Sequence, residues 1–463
     1  MAELIKKSAC EIVALLKSGE ISIEDTLAAL EDRIEQVDAE INALPTLCFG
    51  RAREAARQGD RSDTVLAGVP VAIKDLTDVA GVRTTYGSML HENHVPEQSD
   101  IMIERLEANG GVVYAKSNTP EFGTGGNTFN DVFGATRNPY DLSRSVGGSS
   151  GGAAAALASG TAWLAQGSDL GGSLRTPASF CGVTSLRPSP GLVTTNPGMS
   201  PFNVYSQKGP MARSIADLAL FADALAGPSS KVGISKPHVI DEFRNVAAQP
   251  VKPLKIAFSE NLGVTETTFE VGELCARAVT MLEQDGIGVD ISHPDLSMAD
   301  AAFRVPRALD YAQSLGGELA NTRDILKPEI VWNVELGLAL SADEIRQSQD
   351  AQGQVFANAS AFMQDYDLLL CPATILPAYP VEERYPGYSE GLEYSEYYRW
   401  LAICCAITTT TLPVITLPCG KTDTGLPIGL QLIGKPHGEL QLFAFASYIE
   451  QIFDWDPLQA ITD

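Results

Sequence analysis

Two serines stand in glycine-flanked turns 24 residues apart, Ser149 in GGSSGG (147–152) and Ser173 in GSDLGGSLR (167–175). Glycine allows positive φ and close backbone approach, so a serine between glycines can present its hydroxyl with free N–H groups beside it. That suits a nucleophile with an oxyanion hole. GGSSGG leads into the alanine-rich run AAAALASG, read as a helix whose first-turn N–H groups point back toward Ser149. GTAWLAQGSD (160–169) reads as a strand running into the loop that carries Ser173.

The rest of the chain alternates in the same way. Amphipathic helices are expected at about 8–18 and 23–38, with Ser22 and Asp25 forming a capping box. GVPVAIKD (68–75) is a short buried strand ending in lysine, and GGVVYAKSN (110–118) is another, preceded by a helix at IMIERLEANG. Further strands are expected at LKIAF, GIGVDI, DLLLCPA and LPVITLPCG, with a closing helix near 439–451. The pattern implies an α/β fold: a single large α/β/α domain with a mixed, mostly parallel twisted central sheet covered by helices on both faces. Within residues 1–463, N-terminal helices occupy 1–45, the catalytic core 60–226, a variable cover 227–400, and core strands with a helix 401–463.

Charge narrows the function. The 58 acidic residues against 33 basic ones give a net charge of −25, which opposes the counterion release that drives nucleic-acid binding. Neither nucleic acid nor an anionic membrane is an expected partner. No signal-peptide core and no membrane-length apolar run is present, so a cytoplasmic protein is expected, as monomer or homodimer. The cysteines are scattered through apolar stretches without a CxxC pair, and His91 and His94 sit in a polar stretch before Pro96 that reads as a surface loop. Neither a metal nor an organic cofactor is implied.

Residues 147–151 satisfy G-x-S-x-G, the elbow of α/β-hydrolases, for which His437 could act as base. That esterase-type reading leaves GSDLGGSLR and the strand-end lysine unexplained. A phosphate loop lacks its G-K-[ST] ending. The set GVPVAIKD, AKSNTPEFG, NPYDLSRSVGGSSGG, GSDLGGSLRTPASFCGV, GPMARSIADLAL and GLPIGLQLIGKPHGEL, by contrast, resembles the amidase signature family over nearly the whole chain, most weakly from about 228 to 400.

The resemblance implies that Ser173 is the nucleophile, Ser149 a bridging serine in cis-peptide form and Lys74 the base, with the backbone N–H groups of Leu170, Gly171, Gly172 and Ser173 as the oxyanion hole. Leucine at 170 replaces the commoner threonine, which a main-chain donor tolerates. Chemically, a lysine serves as base only when neutral, and Lys74 closes an apolar strand where desolvation lowers its pKa. Ser150 is expected to cap the following helix or support its turn. Asp169 and Arg175 flank the nucleophile and could pair across the turn, or form an exposed ion pair.

The resemblance points to hydrolysis of small linear amides, most similar to free-standing amidases that include aryl acylamide and carbamate (urethane) hydrolases. The rival within the family is the glutaminase component of a tRNA-dependent amidotransferase; outside it, a non-catalytic binding protein. Six of the 13 tyrosines fall within 379–398. Tyr379, Tyr385, Tyr388, Tyr394, Tyr397, Tyr398 and Trp400 are therefore expected either as an aromatic lid over the site or as a packed helix hairpin.

Overall fold

Eleven strands form one twisted sheet in the computed structural model, which describes residues 2–197, 201–389, 392–393 and 396–461. In chain order they are β1 (Thr46–Leu47), β2 (Pro70–Lys74), β3 (Val112–Ser117), β4 (Leu164–Asp169), β5 (Thr184–Arg187), β6 (Gln207–Ala212), β7 (Lys255–Phe258), β8 (Gly288–Ile291), β9 (Leu368–Pro372), β10 (Val414–Lys421) and β11 (Pro427–Ile433). Their order across the sheet is β1-β3-β2-β4-β6-β5-β10-β11-β9-β7-β8.

The α/β class and the mixed sheet agree with the sequence reading, but its balance does not. Among the described residues four neighbouring pairs are parallel and six antiparallel, so the sheet is not mostly parallel. Helix–strand alternation predicts parallel crossovers, and β3-β2-β4 obey it. Strand β6 instead returns antiparallel to both β4 and β5, and β10 with β11 makes a hairpin closed through Gly425 in the left-handed region. Residues 227–400 are also more than a cover, because β7, β8 and β9 complete one edge of the sheet.

The N-terminal helices span Ala9–Ser18 and Ile23–Ile41, each opened by a capping box, Ser8 with Glu11 and Ser22 with Asp25. The helix Gly151–Ala158 is buried along its whole length. Its small side chains let it lie directly on backbone: a Cβ at Gly152 would meet the Asn118 nitrogen at 2.3 Å and the Ala43 oxygen at 2.6 Å. The contact holds the preceding turn, which carries Ser149, against the carboxyl ends of β2 and β4, where open α/β sheets bind ligands. No helix among the described residues is long and apolar enough to cross a membrane.

Candidate active site

Lys74 ends β2 with its side chain wholly buried. Its Nζ lies 2.7 Å from Ser149 Oγ, 2.9 Å from Ser150 Oγ and 3.0 Å from Ser168 Oγ. Among the described residues no carboxylate is bonded to it. Burial holds Lys74 well below its ordinary value, with Asp169 opposing the shift and Lys208 adding to it. Lys116, near the end of the neighbouring β3, is buried equally but pairs with Asp75 Oδ1 at 3.1 Å and donates to the Thr77 carbonyl and to Thr84 Oγ1. Burial lowers Lys116 as well, but its direct ion pair with Asp75 opposes that shift, a partner that Lys74 lacks.

Ser150 Oγ donates to the Ser168 carbonyl at 3.1 Å, so toward Lys74 it must accept. Lys74 Nζ is placed to donate to all three hydroxyls; in the neutral amine, two N–H bonds serve Ser150 and Ser168 and the lone pair is left for the Ser149 proton. Ser150 occupies the cap position of the helix but makes no capping bond with its side chain, so the capping role expected of it is not observed. Its hydroxyl belongs to the lysine and to the Ser168 backbone, since the Ser168 N–H also donates to it at 3.1 Å.

The peptide bond Gly148-Ser149 is cis. Ser173 approaches through the backbone: its carbonyl accepts the Ser150 N–H at 3.1 Å, tying the two turns together. Ser173 is half-buried, and among the described residues its hydroxyl makes no hydrogen bond. Gly172 has φ +112°, and a Cβ there would sit 2.7 Å from Cys404 Cβ, so the turn admits only glycine.

Asp169 organises this turn. Its Oδ1 accepts the Gly172 N–H at 3.1 Å and its Oδ2 the Leu174 N–H at 2.9 Å. The Gly172 N–H is thereby occupied, which removes it from the four expected oxyanion donors. The N–H groups of Leu170, Gly171 and Ser173 have no partner among the described residues. Arg175 grips the same carboxylate from Nη2 at 2.7 Å and Nε at 3.0 Å, with both side chains fully buried, so the exposed-pair alternative is excluded. Arg187 adds a third contact from Nη1 at 3.2 Å. Burial alone would raise the Asp169 carboxyl; the two guanidinium groups hold it well below the usual carboxylate range. Arg175 also reaches the Cys404 carbonyl, Gln431 and Thr408, and Thr408 returns to the Leu170 carbonyl at 2.6 Å.

The expected aromatic wall is divided. Tyr379 and Trp400 are core residues packed on Phe180. Tyr397 and Tyr398 join Phe303 and Cys405 in a cluster against which Leu170, Trp332 and Tyr385 pack. Tyr394 lies outside the described residues, and of Tyr388 only its backbone in the short strand Tyr388–Ser389 is described. Among its described residues the segment forms no helix hairpin: Tyr388–Ser389 pairs antiparallel with Leu392–Glu393, and Arg399–Leu401 is a 3-10 turn, while the described rings divide between two clusters. His437 contacts Lys236 instead of either serine turn, and His91 and His94 pack against Tyr86. Sequence reasoning missed Ser168, Arg187, Thr408 and Gln431; Arg187 closes β5, whose sequence TSLR carries no apolar run to mark it.

The Amidase family model matches residues 25–443. This chain belongs to the amidase family. It is 34% identical to a glutamyl-tRNA(Gln) amidotransferase component from Moorella thermoacetica, covering 97% of each chain. It is 31% identical to an acylamidase of Rhodococcus erythropolis, covering 97% of this chain and 96% of that one. Among solved structures, a bacterial aryl acylamidase of the amidase signature enzymes superposes with a TM-score of 0.89 at 27% identity, over 98% of this chain and 99% of that one.

Proposed function

We propose that the protein hydrolyses the C–N bond of small linear amides, aryl amides or carbamates among them, through Lys74, Ser149 and Ser173. The observation that carries this reading is the buried, carboxylate-free Lys74 amine 2.7 Å from Ser149 Oγ. The Ser173 hydroxyl attacks the carbonyl carbon while its proton passes to Ser149 Oγ, and the Ser149 proton passes to the Lys74 lone pair. The oxyanion is received by the N–H groups of Leu170, Gly171 and Ser173. Reversal of the relay protonates the departing amine as the C–N bond breaks. Water, deprotonated by the same relay, then releases the acid from the Ser173 ester. Asp169 and Arg175 act as positioning residues that hold the turn.

The aromatic cluster at Leu170 supports an aryl or apolar group beside the oxyanion turn. A second reading, a glutaminase working with a partner chain, is favoured by the 34% identity to the Moorella protein. A panel of p-nitroanilides, aryl carbamates and glutamine, run with wild type and Ser173→Ala, tests both. Aryl amide or carbamate turnover by the isolated chain that vanishes in Ser173→Ala supports the first. Glutamine turnover requiring a co-purified second chain supports the other, and equal rates in both proteins would sink the mechanism.

A further inference from the structure

The helix Ala299–Leu315 sets Phe303, Arg307 and Tyr311 one turn apart on one face. That face spans the two serine turns. At one end a Cβ on Gly171 would lie 3.2 Å from Phe303 Cζ. At the other, the Tyr311 hydroxyl is 2.5 Å from Thr124 Oγ1, next to Gly123, where a Cβ would lie 3.4 Å from Ser149 Oγ. Arg307 stands between these ends at 5% exposure.

Its surroundings are aromatic. The guanidinium carbon lies 4.4 Å from the ring centre of Tyr398, 5.1 Å from that of Tyr397 and 5.8 Å from those of Phe303 and Tyr311. Nη2 donates to the Tyr397 hydroxyl, while Nη1 is buried with no hydrogen-bond partner among the described residues. Nor does any carboxylate among them pair with it, in contrast to Arg175 and Arg187, which share Asp169. Cation–π contact offsets part of the desolvation of such a group, but an uncompensated buried charge remains strongly unfavourable. A guanidinium with one free edge, between the nucleophile turn and the bridging serine, is built for a planar anion brought by the substrate.

We propose that Arg307 is an anion subsite of the catalytic cleft, and that the amides taken by this protein carry a carboxylate that pairs with its Nη1 edge. The assignment rests on the amide-hydrolase reading above and narrows its substrate to a monoamide of a short dicarboxylic acid, or an amide of an amino acid or aminobenzoate. The net charge of −25 repels such substrates at long range, so a buried cation is the group able to select them within the cleft.

The test compares matched pairs: glutaryl- with hexanoyl-p-nitroanilide for a carboxylate on the acyl side, and N-acetyl-4-aminobenzoate with acetanilide for one on the amine side. Wild type is expected to favour the charged member of at least one pair by tenfold or more in kcat/KM. Arg307→Met should abolish that preference while leaving the neutral member within threefold, and Arg307→Lys should retain part of it. Glutarate should compete with the neutral anilide in wild type and not in Arg307→Met. Equal losses on charged and neutral members, or neutral turnover without preference or glutarate inhibition, overturn the subsite and leave the amidase reading intact. No turnover of any amide, with Ser173 unlabelled by a fluorophosphonate, overturns that reading and the subsite with it.

Discussion

Lys74 Nζ and Ser149 Oγ lie 2.7 Å apart with both side chains closed off from solvent, and no carboxylate among the described residues is bonded to the amine. Replacing the base leaves the nucleophile and oxyanion donors in place, so Lys74→Ala should lower kcat by at least about 10²–10⁴-fold, the usual contribution of a general base. His437→Ala should leave kcat within about twofold, within measurement scatter on the same scale. Steady-state kinetics on an aryl amide checks both, and the opposite ranking would restore a histidine-based hydrolase.

The same burial predicts a pH profile. Below its folded value Lys74 is protonated and cannot accept the Ser149 proton, so kcat/KM rises as pH rises through that value. Because burial lowers the group, the rise should level off well below the ordinary lysine value of 10.5. Lys208 lowers it further through charge repulsion, so Lys208→Gln should move the rising limb to higher pH. A limb centred at or above the ordinary value, or one that Lys208→Gln moves downward, contradicts a neutral lysine base.

Some of this site was legible in the residues and some was not, for physical reasons. Glycine-flanked serines announce tight turns because few other residues tolerate them, and Lys74 announces itself by ending an apolar strand. Lys116 carries nearly the same signature, however, and only the three-dimensional position of Asp75 separates the paired lysine from the free one. Ser150 looked like a helix cap because serine in that place normally is one; its hydroxyl instead turns toward Lys74, a partner 76 residues away. The division of the 379–400 aromatics depends on which ring meets Phe180 and which meets Phe303, contacts that no local periodicity encodes. Likewise the antiparallel return of β6 follows from the path of a long connection, not from the strand's own residues.

Asp169 should prove the costliest single charge to remove. Asp169→Asn leaves Arg175 and Arg187 buried without their counter-charge and loosens the hold on the Gly172 and Leu174 N–H groups, with an expected destabilisation of about 3–5 kcal/mol. Asp350 offers a control, since it meets Arg346 at the same 2.7 Å distance on the surface, and Asp350→Asn should cost less than about 1 kcal/mol. Thermal unfolding compares the two, and a kcat loss confined to Asp169→Asn marks its role in holding the turn. Similar shifts in melting temperature for both would contradict the buried-network account.

Trp400 fills space that Gly126 leaves empty: a Cβ at residue 126 would fall 2.2 Å from Trp400 Cζ2. Because the indole is fully buried, Trp400→Ala should destabilise by about 3–5 kcal/mol through lost burial and a residual cavity. Gly126→Ala should destabilise as well, by about 1–3 kcal/mol, because the well-packed ring cannot withdraw. The two losses share one volume, so the double variant should be more stable than the sum of the single effects implies, by about 0.5–3 kcal/mol. Strict additivity in unfolding measurements would show that the ring moves aside in Gly126→Ala, and that Trp400 is not the fixed wedge between the 124–127 loop and Phe180 of the helix Arg175–Cys181.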